Sequence, residues 1–231
     1  MSIAENIAQV RTNIAQACAQ AGRSPEEITL VGASKMNDAA ACREAIAAGI
    51  DALGENRVQE MTAKLADNAY DGAPLHFIGH LQRNKVKQVV GKVALIQSVG
   101  SMDLLEEIEK FAAREQLVQD ILLEVNIGRE EAKSGFDPDA VTAAAEAALS
   151  LPHVRVRGLM TIPPADADRD ANMRYFQEVQ ALYVDINTKL FHNELKCLSM
   201  GMSGDYMDAI RCGATMVRVG TAIFGARNYN I

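Results

Sequence analysis

Three short stretches of this 231-residue chain place reactive or anion-seeking groups where apolar runs stop. In "ITLVGASKMN" the run of Ile28, Leu30, Val31 and Ala33 ends at Ser34 and Lys35. A lysine in that place is a solvated strand end, a clamp for an anion, or an amine held for attack on a carbonyl. The last role follows when partial desolvation lets the ammonium shed its proton. In "SMGMSGD", Gly201 and Ser203 fall at a strand-to-helix turn, where outward backbone N–H groups and the helix dipole favour an anion. "RVGTAIFG" adds Gly220 and Thr221 at a further strand end. Each glycine taken alone could serve only to make a tight turn; two such turns side by side argue for a ligand.

The elements that must position these residues alternate along the chain. Short apolar runs predict strands near 28–34, 52–55, 75–79, 93–98, 120–126, 154–161, 196–200 and 216–219, most of them edged by Gly, Pro, Asn or Ser. Helical patterns lie between them. The segment 103–115 carries Leu104, Leu105, Ile108, Phe111 and Ala112. A second, 139–150, is opened by Asp137-Pro138 as cap and first helical position, and a third, 172–190, carries Met173, Phe176, Val179, Leu182 and Ile186. An extra helix precedes the first strand: Ile3, Ile7, Val10, Ile14 and Cys18 share a face, Ser2 and Glu5 form a capping-box pattern, and Gly22 ends it. All six prolines fall between elements or at their starts, and no linker or composition break divides residues 1–231. Eight strands each followed by a helical stretch predict a single (β/α)8 TIM barrel with an extra N-terminal helix. An open doubly wound sheet is the alternative, because alternation does not prove closure. In a barrel the chemistry gathers at the C-terminal ends of the strands, and the loops after strands seven and eight hold phosphate. The other strand ends then contribute Glu55 and Asn56, His80 and Gln82, Asn126, and Met160 with Thr161.

Composition narrows the ligand. A net charge of -7 argues against a nucleic-acid groove, and the one basic cluster (Arg83, Lys85, Lys87 and Lys92) reads as a solvated helix face. The four cysteines, Cys18, Cys42, Cys197 and Cys212, have the spacing of neither a zinc site nor a disulfide scaffold, which predicts free thiols in a reducing compartment. No run approaches the ~18 apolar residues of a membrane span, and the N-terminal stretch lacks the apolar core of a signal peptide. A soluble cytoplasmic protein is expected. His76 and His80 in "HFIGH" stand roughly 13 Å apart on a strand rising ~3.3 Å per residue, so they cannot share one ion, and no metal is expected. "GTAIFGAR" fails as a Walker loop, having Ala226 and Arg227 after Gly225, and "GMSGDY" lacks a dinucleotide-binding glycine pair.

Lys35 thus faces a phosphate cradle across the expected barrel mouth. A ligand carrying both a phosphate and an aldehyde would engage both, and pyridoxal 5'-phosphate (PLP) is one such molecule. Sugar-phosphate aldolases and plain phosphate binders fit the same residues.

Seven ordered stretches, "RSPEEITLVGASK", "GENRVQE", "HFIGHLQRNK", "NIGREEAKSG", "VRGLMTIPP", "LSMGMSGD" and "MVRVGTAIFGAR", resemble the YggS/PROSC family of PLP homeostasis proteins. That family is similar to the barrel domain of alanine racemase standing alone. The resemblance implies that Lys35 forms a Schiff base with the cofactor and that Ser203, Gly220 and Thr221 hold its phosphate. It further implies that Asn56, His80 and Met160 line the ring and that Arg218 approaches the pyridine nitrogen. Arginine stays charged and so disfavours protonation of a nearby ring nitrogen, which weakens the ring as an electron sink. After strand eight only "ARNYNI" remains, too short to supply the second domain from which racemases draw their acid–base partners. The family resemblance therefore implies a monomeric, non-catalytic protein that binds and buffers PLP and delivers it to PLP-dependent apoenzymes; a racemase-like amino-acid activity is the alternative. Three positions depart from the family pattern: Arg57 for the usual Tyr, Tyr206 for Met, and Gly32-Ala33 for Ala-Val. Lys133, in the polar loop 126–136 over the mouth, is expected to be a solvated loop lysine, with a second amine or anion contact as the other reading.

Overall fold

The apolar face of the first segment becomes α1 (Ile3–Ala21), which buries Ile7, Val10, Ile14, Ala17 and Cys18. Its start is the expected capping box, with Glu5 N donating to Ser2 Oγ at 3.2 Å and Ser2 N donating to Glu5 Oε2 at 2.8 Å. Gly22, at φ 66°, supplies the left-handed residue that ends it. The computed structural model describes residues 1–225; the short "ARNYNI" tail, 226–231, lies outside the described residues.

Eight parallel strands follow: β1 (Thr29–Ala33), β2 (Ala52–Glu55), β3 (Leu75–Phe77), β4 (Leu95–Val99), β5 (Gln119–Val125), β6 (Val154–Thr161), β7 (Cys197–Ser199) and β8 (Met216–Val219). They pair in chain order, and β1 pairs with β8 through Val31↔Arg218 and Gly32↔Val219, so the sheet is a closed barrel and the open-sheet alternative is excluded. The connecting helices are α2 (Ala39–Ala47), α3 (Val58–Ala66), α4 (Met102–Arg114), α5 (Val141–Ala148), α6 (Arg169–Leu190), α7 (Tyr206–Arg211) and α8 (Thr221–Phe224), with a 3-10 helix (Arg83–Gln88) between β3 and β4.

Strands buried on both faces explain the near-continuous apolar runs. Leu30, Leu53, Ile96, Ile121, Leu159 and Leu198 pack in the large core shared with the helices. Val31, Ala52, Leu95, Leu122, Met160 and Met216 form a separate inner cluster. A polar network lies against that cluster: His76, Gln97, Ser199 and Arg218, all buried and joined by hydrogen bonds. α1 covers the seam where the barrel closes, with Asn6 Nδ2 donating to Ile223 O at 2.8 Å and Asn13 Nδ2 to Tyr206 Oη at 2.9 Å.

Two helix starts differ from the sequence expectation. Asp137-Pro138 does not open α5; the Asp137 carbonyl accepts from Ala140 N at 2.9 Å and Val141 N at 3.1 Å, which makes a turn, and the helix begins at Val141. α6 begins at Arg169, ahead of the first apolar residue in the pattern, because the Asp168 carboxylate caps Ala171 N at 2.8 Å. In the basic cluster Arg83, Lys87 and Lys92 are exposed and Lys85 is half-buried. The four cysteines are free thiols.

Candidate functional site

β1 and β2 set the first wall. Ser34 N donates to Gly54 O at 3.0 Å and Ile78 N donates to Glu55 O at 2.9 Å, so the three strand ends are tied together just before their loops diverge. Lys35, half-buried, follows Ser34 into a cavity of about 240 Å³. Asn56 lines the same cavity, pressed against the backbone of the β3 loop: a Cβ added at Gly79 would lie 2.3 Å from Asn56 O. Asn56 Oδ1 is buried without a hydrogen-bond partner among the described residues. A buried orphan acceptor lining a cavity marks a place for a ligand donor.

The opposite wall comes from the loops after β7 and β8. Gly201 adopts φ +91°, and a Cβ there would stand 2.6 Å from Ala209 Cβ, so only glycine fits this turn. Met202 N then donates to Asp205 Oδ1 at 2.6 Å. The turn delivers Ser203, whose Oγ accepts from Gly220 N at 3.1 Å and from Ala222 N at 3.4 Å. Backbone donors of one loop and a hydroxyl of the other therefore converge, an arrangement suited to phosphate oxygens. Ser203, Gly220 and Thr221 all line the cavity that holds Lys35.

Arg218, on β8, lines it too. Its Nη1 donates to Ser199 Oγ at 2.6 Å and its Nη2 to Thr161 O at 2.8 Å. Burial pulls the guanidinium pKa down to about 10, against the favourable charges of Glu124 and Asp205, so the group is cationic at neutral pH. Burial also raises the carboxyls of Glu124 and Asp205, with Ser134 opposing it at Glu124 by donating to Oε2 at 3.0 Å.

Six of the eight expected residues thus share one cavity. Met160 does not line it; it is fully buried in the inner cluster of the barrel. His80 is exposed and lines a neighbouring cavity of about 300 Å³, together with Ser98, Ser101 and Lys133. Lys133 is half-buried and paired with Glu130 at 2.5 Å. His76 is buried, with Nδ1 3.0 Å from Gln97 Nε2. Of the departures, Arg57 is exposed at the start of α3, and Tyr206 is buried against α1. Sequence reasoning missed the apolar walls of the cavity, Ile78, Ile162 and Met202. Their signal was present: each is one or two residues from a strand-end residue already singled out. Among the described residues no group of three or more His, Cys, Asp or Glu side chains could hold a metal ion. Among them, too, no helix is long and apolar enough to cross a membrane.

The chain is similar to proteins of known name and structure. The family described as "Alanine racemase, N-terminal domain" matches residues 6–228. A protein named "Pyridoxal phosphate homeostasis protein" from Aquifex aeolicus is 42% identical over 229 residues, covering 99% of this chain and all of that one. One of the same name from Pseudomonas aeruginosa is 41% identical over 99% of this chain and 97% of its own. The structure of PipY from Synechococcus elongatus with PLP bound superposes with a TM-score of 0.85 at 33% identity, covering 97% of this chain and 100% of that one. Alanine racemase from Clostridium difficile shares the fold, at TM-score 0.74 and 16% identity, and this chain spans 58% of it. The chain belongs to the alanine racemase N-terminal domain family and, within it, to the YggS/PROSC family of pyridoxal phosphate homeostasis proteins.

Proposed function

We propose that this chain binds PLP, with Lys35 as its covalent anchor, and serves PLP homeostasis by buffering the cofactor and delivering it to PLP-dependent apoenzymes. The observation that carries the reading is the convergence, in one cavity, of Lys35, the unpartnered Asn56 acceptor, the Ser203–Gly220 cradle and the cationic Arg218. The relatives that carry the homeostasis name and the PLP-bound relative support it. The residues fit the group: backbone and hydroxyl donors for a phosphate, an amine for an aldehyde, and apolar walls from Ile78 and Ile162 for a ring.

When bound, PLP supplies an aldehyde carbon for an amine and a ring that draws electrons from what is attached to it. Lys35 would bring the amine for that carbon. Ser203, Gly220 and Thr221 would hold the phosphate, and Asn56 and Met202 line the same cavity as Lys35. Arg218, cationic and lining the same cavity, would disfavour protonation of a ring nitrogen brought near it and so weaken the ring as an electron sink. His80, which lines the neighbouring cavity, and Met160, buried in the inner cluster, stand outside this one. A racemase-like activity needs an acid–base partner opposite Lys35, and no His, Tyr, Cys, Asp or Glu is among the described residues lining this cavity. In this reading residues 1–231 act as one unit, a cytoplasmic monomer without catalytic residues.

The test is the visible absorption spectrum of the purified protein with PLP, beside Lys35→Ala. The reading expects an absorption band in the unaltered protein that borohydride abolishes, leaving a reduced adduct that maps to Lys35. No band, or an equal band in the variant, overturns the anchor assignment.

A further inference from the structure

Lys35 is held through both of its neighbours, and both restraints lead to one buried charge cluster beneath the strand end. On one side, the Ser34 carbonyl accepts from Lys64 Nζ at 2.8 Å, while Ser34 Oγ donates to Glu55 Oε1 at 2.6 Å. On the other, Met36 N donates to Glu60 Oε1 at 2.5 Å. Met36 sits at φ 62°, a left-handed conformation that residues other than glycine enter only when their surroundings impose it. Lys64 joins the two sides: its ammonium also donates to Glu55 Oε1 at 2.7 Å and to Glu60 Oε1 at 2.8 Å, so all three of its protons are used. Tyr70 Oη adds a third side-chain donor to Glu55 Oε1, at 3.0 Å.

The cluster is deep. The Glu55 side chain is 0% exposed and that of Lys64 8%. Burial opposes the Lys64 charge, but the hydrogen bonds and charges of Glu55 and Glu60 outweigh it and raise its pKa above the ordinary value. None of Glu55, Glu60 and Lys64 lines the cavity itself. A buried ion pair adds little stability over an apolar core of the same volume, so its value is in fixing one geometry. What this one fixes is the three-residue turn Ser34–Met36 with Lys35 at its centre.

We propose that Lys64, with Glu55 and Glu60, forms a clamp of positioning residues that aims the Lys35 amine into the cavity. The proposal rests on the reading of Lys35 as the PLP anchor. The clamp acts on the backbone to either side of the lysine, so it governs how fast and how completely the amine captures an aldehyde, and it leaves the phosphate cradle alone. A small misplacement of an attacking atom is enough to slow its reaction many-fold.

The experiment compares Glu60→Ala, Glu60→Gln and Lys64→Met with the unaltered protein. Three quantities are read: the rate of borohydride-trapped PLP adduct at Lys35, the affinity for inorganic phosphate by calorimetry, and hydrogen exchange of the Met36 amide without PLP. Glu60→Ala is expected to slow adduct formation about tenfold and to expose the Met36 amide, with phosphate affinity within about twofold of the unaltered protein. Glu60→Gln keeps an acceptor for Met36 N and is expected to restore most of the rate. A merely structural role would lower the melting temperature and move neither the rate nor the amide. Lys64→Met should show the larger effect; if it does not fold, the Glu60 pair decides. Unchanged adduct rate and unchanged Met36 exchange in folded Glu60→Ala overturn the clamp. Absence of any Lys35 adduct in the unaltered protein overturns the anchor reading instead, and with it the purpose assigned to the clamp.

Discussion

Arg218 and Ser199 stand on adjacent strands of the barrel, and the arginine Nη1 donates to the serine Oγ across 2.6 Å. The serine hydroxyl in turn donates a hydrogen bond to Gln97 Oε1, also at 2.6 Å, and Gln97 Nε2 faces His76 Nδ1 at 3.0 Å. A buried cation is thus oriented by a chain of neutral groups.

Ser199→Ala removes the first link of that chain and leaves a fully buried guanidinium short of one acceptor. A hydrogen bond to a charged group is worth about 1.5–3 kcal/mol, so urea unfolding of the variant should report a loss of about 2 kcal/mol. PLP should still bind, because Thr161 O continues to hold Nη2 at 2.8 Å. A variant as stable as the unaltered protein would show that Arg218 does not depend on the serine.

Ser203→Ala should separate phosphate recognition from amine chemistry. The hydroxyl joins the loops after β7 and β8 by accepting from Gly220 N and Ala222 N. Without it the affinity for PLP should fall about tenfold, about 1.4 kcal/mol, while capture of phosphate-free pyridoxal at Lys35 stays unchanged. Equal losses for both ligands would place Ser203 outside the phosphate contact.

His76 should give the fold a distinct sensitivity to acid. Burial lowers its pKa from 6.5 to about 4, and the neutral ring faces the Gln97 amide. The unfolded ring takes up a proton below 6.5 and the folded ring only below about 4. Its contribution is therefore intact above pH 6.5 and is lost as the pH falls towards 4, by up to about 3 kcal/mol. Replacing the residue, His76→Gln, should flatten this slope in urea titrations compared at about pH 7 and about pH 4.5. Glu124 and Asp205, whose raised pKa values act in the opposite sense, titrate in both proteins and cancel in the difference. The same pH dependence in both proteins would remove His76 as the cause.

Gly201→Ala should damage the cradle through the backbone. The added Cβ meets Ala209 Cβ at 2.6 Å and Tyr206 Cα at 2.8 Å at a residue held at φ +91°. A loss of about 2–3 kcal/mol is expected from thermal unfolding, with weaker phosphate binding as Ser203 moves. Unaltered stability would mean that α7 yields easily.

The strand limits were legible because strands buried on both faces are apolar runs, and turn residues punctuate them. Closure was not: the pairing of Val31 with Arg218 joins distant parts of the chain, and alternation says nothing of it. Lys35, Asn56, Ser203, Arg218, Gly220 and Thr221 could be named because they stand at or near strand ends in motifs shared with a known family. Met160 shows the limit of that logic, since nearness to a strand end does not tell depth, and it lies below the cavity in the inner cluster. His80 shows another limit: β3 stops at Phe77, two residues before the expected end, and the chain turns the histidine towards the neighbouring cavity. Lys64 gave no signal at all, because a Glu60–Lys64 pair four apart on a helix looks like a solvated surface pair. Only the fold brings Glu55 beneath it.

The seam between β1 and β8, covered by α1, sets the order in which this chain can become itself. α1 and β1 are made well before Ile223, Tyr206 and the β8 edge that they pair with, which lie near the end of the described residues. Until then β1 has one unpaired edge, and the part of α1 that packs on α7 and α8 is uncovered. The pairing of β1 with β8 is thus a long-range closure, of the kind that topology makes slow, and the Ser203–Gly220 contact joins the loops that follow β7 and β8, next to that closure. The proposed phosphate cradle therefore depends on β8 being in register, because Gly220 and Thr221 follow that strand directly.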